Sequence, residues 1–396
     1  MFNRTGQSPD IKLLVTIVVL IIFGWIMSFS ASLAHFDSYS YVSKQGGYIV
    51  LGFIAGFFVL ITPLSFFKHH SKNLFIFTLV LLGVVLLPDP IGFEANGARR
   101  WINFVIFKFQ PSEMMKLTMI LFMAGFLIRQ EKEVTGSLMG IGKTLIIVAS
   151  SALLTMLETD LGATIIITLT ALTMLFIAGS YIKELLITGV GLLSVTGVAL
   201  YLDGGVRWKR LTEFWQVDLW INDSDKVHQT KQALLGIGRG DWTGTGLGAG
   251  IQKYTKLPES HTDMIFAIIG EELGVVGMLF VLFSFAYIIN KGFNIAKEAL
   301  KHGRKYSSYV AFGICTWFSM QTGVNIAMNL GLMPIKGFTL PLISYGGSSM
   351  IFSIIALAII LRIDMENRAP YSKQKDYVSR AKDNSPYGGW HRWAYI

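Results

Sequence analysis

Long apolar blocks separated by polar breaks run along most of this chain. Ten of them, at roughly 12–33, 46–63, 73–88, 110–128, 140–157, 160–178, 182–202, 264–289, 306–330 and 338–361, could cross a bilayer. Most have the length, about 17–25 residues, that a helix needs to span about 30 Å of hydrocarbon. The third is short, so it either starts earlier or spans with little tilt. One break, 203–262, is far longer than the rest and puts a single large loop between the seventh and eighth helices. No repeat of fixed period is present. The pattern predicts an all-α integral membrane protein with one membrane domain over residues 1–366. A polar, basic tail, 367–396, is expected to be disordered.

Charge sets the orientation. With the N-terminus in the cytoplasm, the inner loops receive Lys68, Lys72, Arg129, Lys132, Lys143, Lys183, Lys291, Lys297 and Lys301. The outer segments hold fewer cations, most of them in the long loop, which the positive-inside rule discounts. An even number of spans then places both termini in the cytoplasm and 203–262 outside. Composition agrees: 52% of residues are hydrophobic, mean hydropathy is +0.53, and only 15% are charged, against about a quarter in soluble domains. The net charge of +9 is scattered through the loops, which argues against nucleic-acid binding. The single cysteine, Cys315, lies in an apolar run and has no intramolecular partner.

A charge at the bilayer centre costs about 3 kcal/mol or more, so such groups face a cavity or a partner. Three stretches carry them. In "KLPESHTDMIFAIIGEELG", Lys256 to Gly274, His261 and Asp263 stand at the mouth of the eighth helix. Asp263, like Thr262, could cap that helix, or it could serve chemistry. Glu271 and Glu272, two turns deeper, are expected to pair with Arg or Lys from neighbouring helices. In "GARRWINFVIFKFQPSEMMK", Gly97 to Lys116, Arg99 and Arg100 beside Trp101 are either an interfacial belt or an anion site. Pro111 suits the first turn of the fourth helix. Glu113 and Lys116, three apart, share a face and either neutralise each other or line a polar cavity. In "NLGLMPIKGFTLPLISYGGSS", Asn329 to Ser349, Pro334, Gly337, Pro341, Gly346 and Gly347 break helix at membrane depth. Irregular backbone is tolerated there only when buried in protein or lining a cavity. The break reads either as flexibility or as a loop whose N–H groups and Lys336 approach an anionic headgroup. Acids, bases and broken backbone therefore gather at the outer leaflet. That suits a phosphorylated lipid substrate or a transport pathway.

These stretches, with "GRGDWTGTGLGAGIQKYTKLPESHTDMIFAIIGEELG", resemble the SEDS family of bacterial cell-wall polymerases, from about the first helix to Arg362. Within the family, "LPESHTDMIFAIIGEELG" and "LMPIKGFTLPLISYGGSS" are more similar to the cell-division branch than to the elongation branch. The resemblance implies a peptidoglycan glycosyltransferase that polymerises lipid II during septal wall synthesis. A lipid II flippase or a non-catalytic division scaffold are the alternatives. By motif, Asp263 of "HTD" becomes the essential catalytic carboxylate and the candidate general base. Glu113 and Lys116 map to a central cavity, and Asp160 to the family's "DLG" acid, although this chain has "ETDLG" where the family often has Pro before the Asp. Arg207 and Arg210 of "VRWKRLTEFW", Arg100, His261, Lys336, Ser344, Gly346 and Gly347 are the remaining candidates for holding substrate. No sequence pattern marks a metal site, and a divalent cation such as Mg2+ or Mn2+ on Glu113 or Asp160 stays open. Implied partners are the nascent glycan strand, a class B penicillin-binding protein (an FtsI-like transpeptidase), other division proteins and membrane lipids, with no nucleic acid. The implied location is the septal inner membrane.

Overall fold

A computed structural model describes residues 8–33, 38–88, 92–95, 98–103, 108–134, 138–180, 189–191, 194, 197, 225–255, 257, 259–335 and 337–369. The described helices are α1 (Ile11–Ser32), α2 (Ser38–Ile61), α3 (Leu64–Val85), α4 (Pro111–Arg129), α5 (Glu131–Val134), α6 (Leu138–Leu157), α7 (Leu161–Ile177), α8 (Asp225–Gly240), α9 (Gln252–Thr255), α10 (Ile265–Lys301), α11 (Lys305–Asn329) and α12 (Gly347–Arg368). Between α3 and α4 lies a small antiparallel sheet, β1 (Gly92–Ala95), β2 (Ala98–Asn103) and β3 (Lys108–Phe109), in the order β1-β2-β3. The helical periodicity gave no hint of it, because its strands are two to six residues long.

Among the described residues, α1, α2, α4, α10 and α12 are long and apolar enough to cross a membrane. The third helix does start earlier, at Leu64. α11 has 25 residues but is less apolar, because it carries Gln321, Thr322, Asn325 and Asn329 on buried positions. The predicted seventh span, 182–202, and much of the loop after it fall largely outside the described residues. So do Arg207, Arg210 and Lys336, and the tail from 370 onward.

Two boundaries differ from expectation. The last helix starts at Gly347, not near 338. The Pro- and Gly-bearing stretch before it is apolar but irregular, and Leu342 has a positive φ of 64°. The eighth apolar block runs twelve residues further than expected, to Lys301, and is interrupted at Gly274 (φ 65°, ψ −162°).

α4 is apolar on every side and buried along nearly its whole length, which makes it the centre of the bundle. It packs against α3, α7, α11 and α12. α2 packs on α12 and turns its other face outward, with Phe57 and Phe58 exposed. The break in α10 frees backbone groups that a bilayer could not satisfy. A glycine-rich segment after α8 takes them up. Thr245 and Gly246 donate to the carbonyls of Glu271 and Glu272 at 3.0 Å each. Val275 donates to Asp241 at 2.9 Å, and Val276 to Trp242 at 3.2 Å. The approach is so close that a Cβ on Gly274 would lie 2.5 Å from the Trp242 carbonyl.

Glu271 and Glu272, fully buried, lock this junction. Arg239 meets Glu271 at 3.0 Å, and Ile251 and Gln252 donate their N–H groups to the same carboxylate. Lys253 meets Glu272 at 2.7 Å, and Ser30 of α1 also donates to Glu272. Both acids are structural and paired with basic residues, as expected.

Candidate functional site

Six helix ends meet at one end of the bundle: the last turns of α1 and α11 and the first turns of α4, α7, α10 and α12. The turn Ser260–Met264 enters α10 there. Asp263 does not cap that helix with its side chain, and neither does Thr262, whose hydroxyl bonds back to Glu259 at 2.8 Å. Met264 occupies the cap position without a side-chain bond. Asn329 of α11 does the capping instead, accepting from the N–H of Ala267 at 3.0 Å. Asn325 and Asn329 donate to the main-chain carbonyl of Asp263 at 3.0 and 2.9 Å. The backbone of Asp263 is thus held firmly, and none of these bonds uses its carboxylate.

The loop before α12 is clamped onto the same turn. Ser344 donates to Thr262 at 2.6 Å and accepts from the N–H of Leu340 at 2.7 Å. Tyr345 donates to the carbonyl of His261 at 2.9 Å, and its ring and that of Tyr41 pack around the His261 imidazole. Gln45 of α2 brackets the loop, donating to Ser344 and accepting from Gly346. Ser28 of α1 donates to Ile343 at 2.9 Å, and Gly24 lets that backbone close in, since a Cβ there would lie 2.5 Å from the Ile343 Cα. Gly347 lies flat against the Tyr48 ring. Gly337, at φ 62°, faces Asp263; a Cβ on it would lie 3.5 Å from Asp263 Oδ2. His261 and Ser344 thus belong to or touch the turn that carries Asp263, and Gly346 and Gly347 follow on the same clamped loop.

Two further groups adjoin. Glu113 and Lys116, both buried, pair at 2.8 Å. Lys116 also donates to Gln321 at 3.0 Å and lies over the Trp317 ring. Gln321 in turn donates to the carbonyl of Thr339, whose hydroxyl bonds Ser349. The pair therefore neutralises itself and also supports the loop beside Asp263. Asp160 caps α7 through the N–H of Ala163 at 3.0 Å, and accepts from Ser112 and Gln110 at 2.9 and 3.1 Å. Arg100 of β2 is tied to the α6–α7 turn by the carbonyls of Thr159, at 2.7 Å, and Glu158.

Burial pushes the Asp263 carboxyl up to about 7; Glu259 and Asp160 add to the shift, and Arg100 opposes it. Burial pushes Glu158 up to about 10, with Asp160 adding and Arg100 opposing. Glu113 is taken by Lys116, and both Asp160 oxygens accept hydrogen bonds. Among the described residues no three His, Cys, Asp or Glu gather as ligands. Sequence reading missed Gln45, Glu158, Gln321, Asn325 and Asn329. Lone amides in apolar runs, and the Asn pair four apart in "NIAMN", were the available signal.

Fold and site together define a polytopic helical membrane protein with a half-buried acid, backed by a clamped loop, at one end of its bundle. The family model described as "Cell cycle protein", for FtsW, RodA and SpoVE, matches residues 11–369, and the chain belongs to that family. It is 39% identical over 372 residues to a "Probable peptidoglycan glycosyltransferase FtsW" of Legionella pneumophila, covering 92% of this chain and 93% of that one. A protein of the same name from Nitrosococcus halophilus is 38% identical, covering 92% and 94%. These names agree with the division-branch resemblance of the motifs. The fold matches a structure described as "Structural coordination of polymerization and crosslinking by a peptidoglycan synthase complex". The TM-score is 0.75 and the identity 22%, over 92% of this chain and all of that one. Rod shape determining protein RodA of Thermus thermophilus matches with a TM-score of 0.67 and 24% identity, over 92% and 99%.

Proposed function

We propose that this chain is a peptidoglycan glycosyltransferase that polymerises lipid II in the division wall, with Asp263 as its general base. One observation carries the reading. The main chain of Asp263 is gripped by two amides, while its half-buried carboxyl, pushed up to about 7, makes no hydrogen bond or ion pair among the described residues. In the proposed reaction the 4-hydroxyl of the acceptor sugar attacks C1 of the donor. The new C–O bond forms as the C1–phosphate oxygen bond breaks, and undecaprenyl pyrophosphate leaves with the electron pair. The hydroxyl proton passes to Asp263, which must be ionised and within about 3 Å. An α-linked donor and β-linked product require inversion in a single displacement. Arg100, whose charge acts on Asp263, would stabilise the departing pyrophosphate. Arg207, Arg210 and Lys336 are proposed to join it from outside the described residues.

The same reading puts the membrane domain at 1–366, the site on the outer face, both termini in the cytoplasm and the protein at the septum. A class B penicillin-binding protein and other division proteins would be its partners. The names of the relatives support the reaction. The test is lipid II polymerisation by purified protein in proteoliposomes, read on product gels. Asp263→Asn should slow chain formation by about a hundred- to ten-thousand-fold while the protein stays folded. Wild-type strand length and rate in that variant would remove Asp263 from the mechanism. Translocation of fluorescent lipid II without polymer would favour the flippase.

A further inference from the structure

Asn325 and Asn329 stand one turn apart on α11, and both are fully buried. Their amides converge on the carbonyl of Asp263. Asn329 also accepts from Ala267, at 3.0 Å, and donates to the carbonyl of Asn325, at 2.9 Å. The Ala267 N–H, in the first turn of the helix, is shared with the Met264 carbonyl at 3.1 Å. Asn325 also donates to the carbonyl of Phe338, next to Gly337, the residue that faces Asp263 Oδ2. One side chain is thus bonded to both walls of the site, the acid's turn and the loop opposite.

We propose that Asn325 and Asn329 are positioning residues for glycosyl transfer: they fix the backbone of Asp263 against the Gly337–Gly347 loop, so that its carboxylate meets the acceptor hydroxyl held between them. The inference rests on the polymerase reading above. A purely architectural pair would matter for folding and not for the chemical step. A positioning pair acts on the chemical step, since displacement of a reacting group by about 1 Å can cost about a hundred-fold in rate. It also acts on the environment of the acid. Asp263 is faced by Glu259 from its own turn, Asp160 from the start of α7 and Arg100 from β2. Releasing the turn lets water reach the carboxyl and moves its titration down, toward the ordinary carboxylate range.

The experiment compares full-length wild type, Asp263→Asn, Asn325→Ala, Asn329→Ala, Asn325→Gln and Asn329→Gln in proteoliposomes over a lipid II titration and a pH series. Gel-filtration profile and thermal unfolding serve as folding controls. The Ala variants should lose about ten- to a hundred-fold in kcat with little change in KM, and their acid limb should move to lower pH. The Gln variants keep the amide but carry it one methylene further, and should show the same changes in smaller degree. Folded variants with the wild-type kcat and acid limb would overturn the proposal. If the Ala variants do not fold, the Gln variants decide. Gln variants that also fail to fold leave only an architectural role, and overturn it too. Inert Asn variants beside a dead Asp263→Asn refute this proposal alone. A wild type that makes no polymer, or an active Asp263→Asn, refutes the polymerase reading and this one with it.

Discussion

At the residue scale, the protonation of Asp263 governs the proposed chemistry. Burial, then Glu259 and Asp160, raise its carboxyl to about 7, and Arg100 pulls the other way. A base works only when ionised, so the rate of polymerisation should fall as pH drops through about 7 and level off above it. Arg100→Gln removes the opposing cation and should move that acid limb to higher pH, a shift readable in initial rates over a pH series. A limb unmoved by this substitution would show that the guanidinium does not act on Asp263. The candidate Asp263 was legible from its motif. Its release from capping was not, because the true cap, Asn329, lies 66 residues away in sequence.

At the element scale, α10 holds the site in place through its break. A helix interrupted at Gly274 keeps its backbone satisfied only because residues 241–246 lie against it. Gly274→Ala forces a Cβ into positive φ and against the Trp242 carbonyl, and should destabilise the detergent-solubilised protein severely in a thermal-unfolding assay. Lys253→Met leaves Glu272 buried and unpaired, at a cost of about 3–5 kcal/mol. Lys253→Met with Glu272→Gln should recover much of that, since a neutral amide tolerates the site better. Equal stability of the single and double variants would show that the pair carries no coupling. Hydrophobic runs announced the existence of these helices but misplaced two ends. Residues 338–346 are apolar enough to extend the predicted helix, but Pro341, Gly346 and the bond from Ser344 to the Asp263 turn keep them irregular.

At the scale of the whole molecule, the proposed mechanism needs the converging helix ends to face outside. The distribution of Lys and Arg over short loops argues for that orientation. Single cysteines at positions 224 and 385, in a Cys315→Ala background, test it in intact spheroplasts. A membrane-impermeant maleimide should label 224 and spare 385. The reverse pattern would put Asp263 in the cytoplasm and remove the outer-face site.

The sequence by itself determined the class of molecule. Long apolar runs must become buried or lipid-facing helices, cation bias argues for one orientation of them, and the motifs offer an acid and its companions as candidates. It also forecast the pairing of Glu271 and Glu272 with basic partners, because two acids in an apolar run cannot stay bare. Only the tertiary structure decided which cations answer them, Arg239 and Lys253. Only there do Asn325 and Asn329 come to grip Asp263, and only there is the extent of the irregular loop before α12 fixed. Each of these depends on side chains meeting side-chain or backbone partners far away along the chain. Local periodicity does not record such meetings; the packing of helix ends creates them.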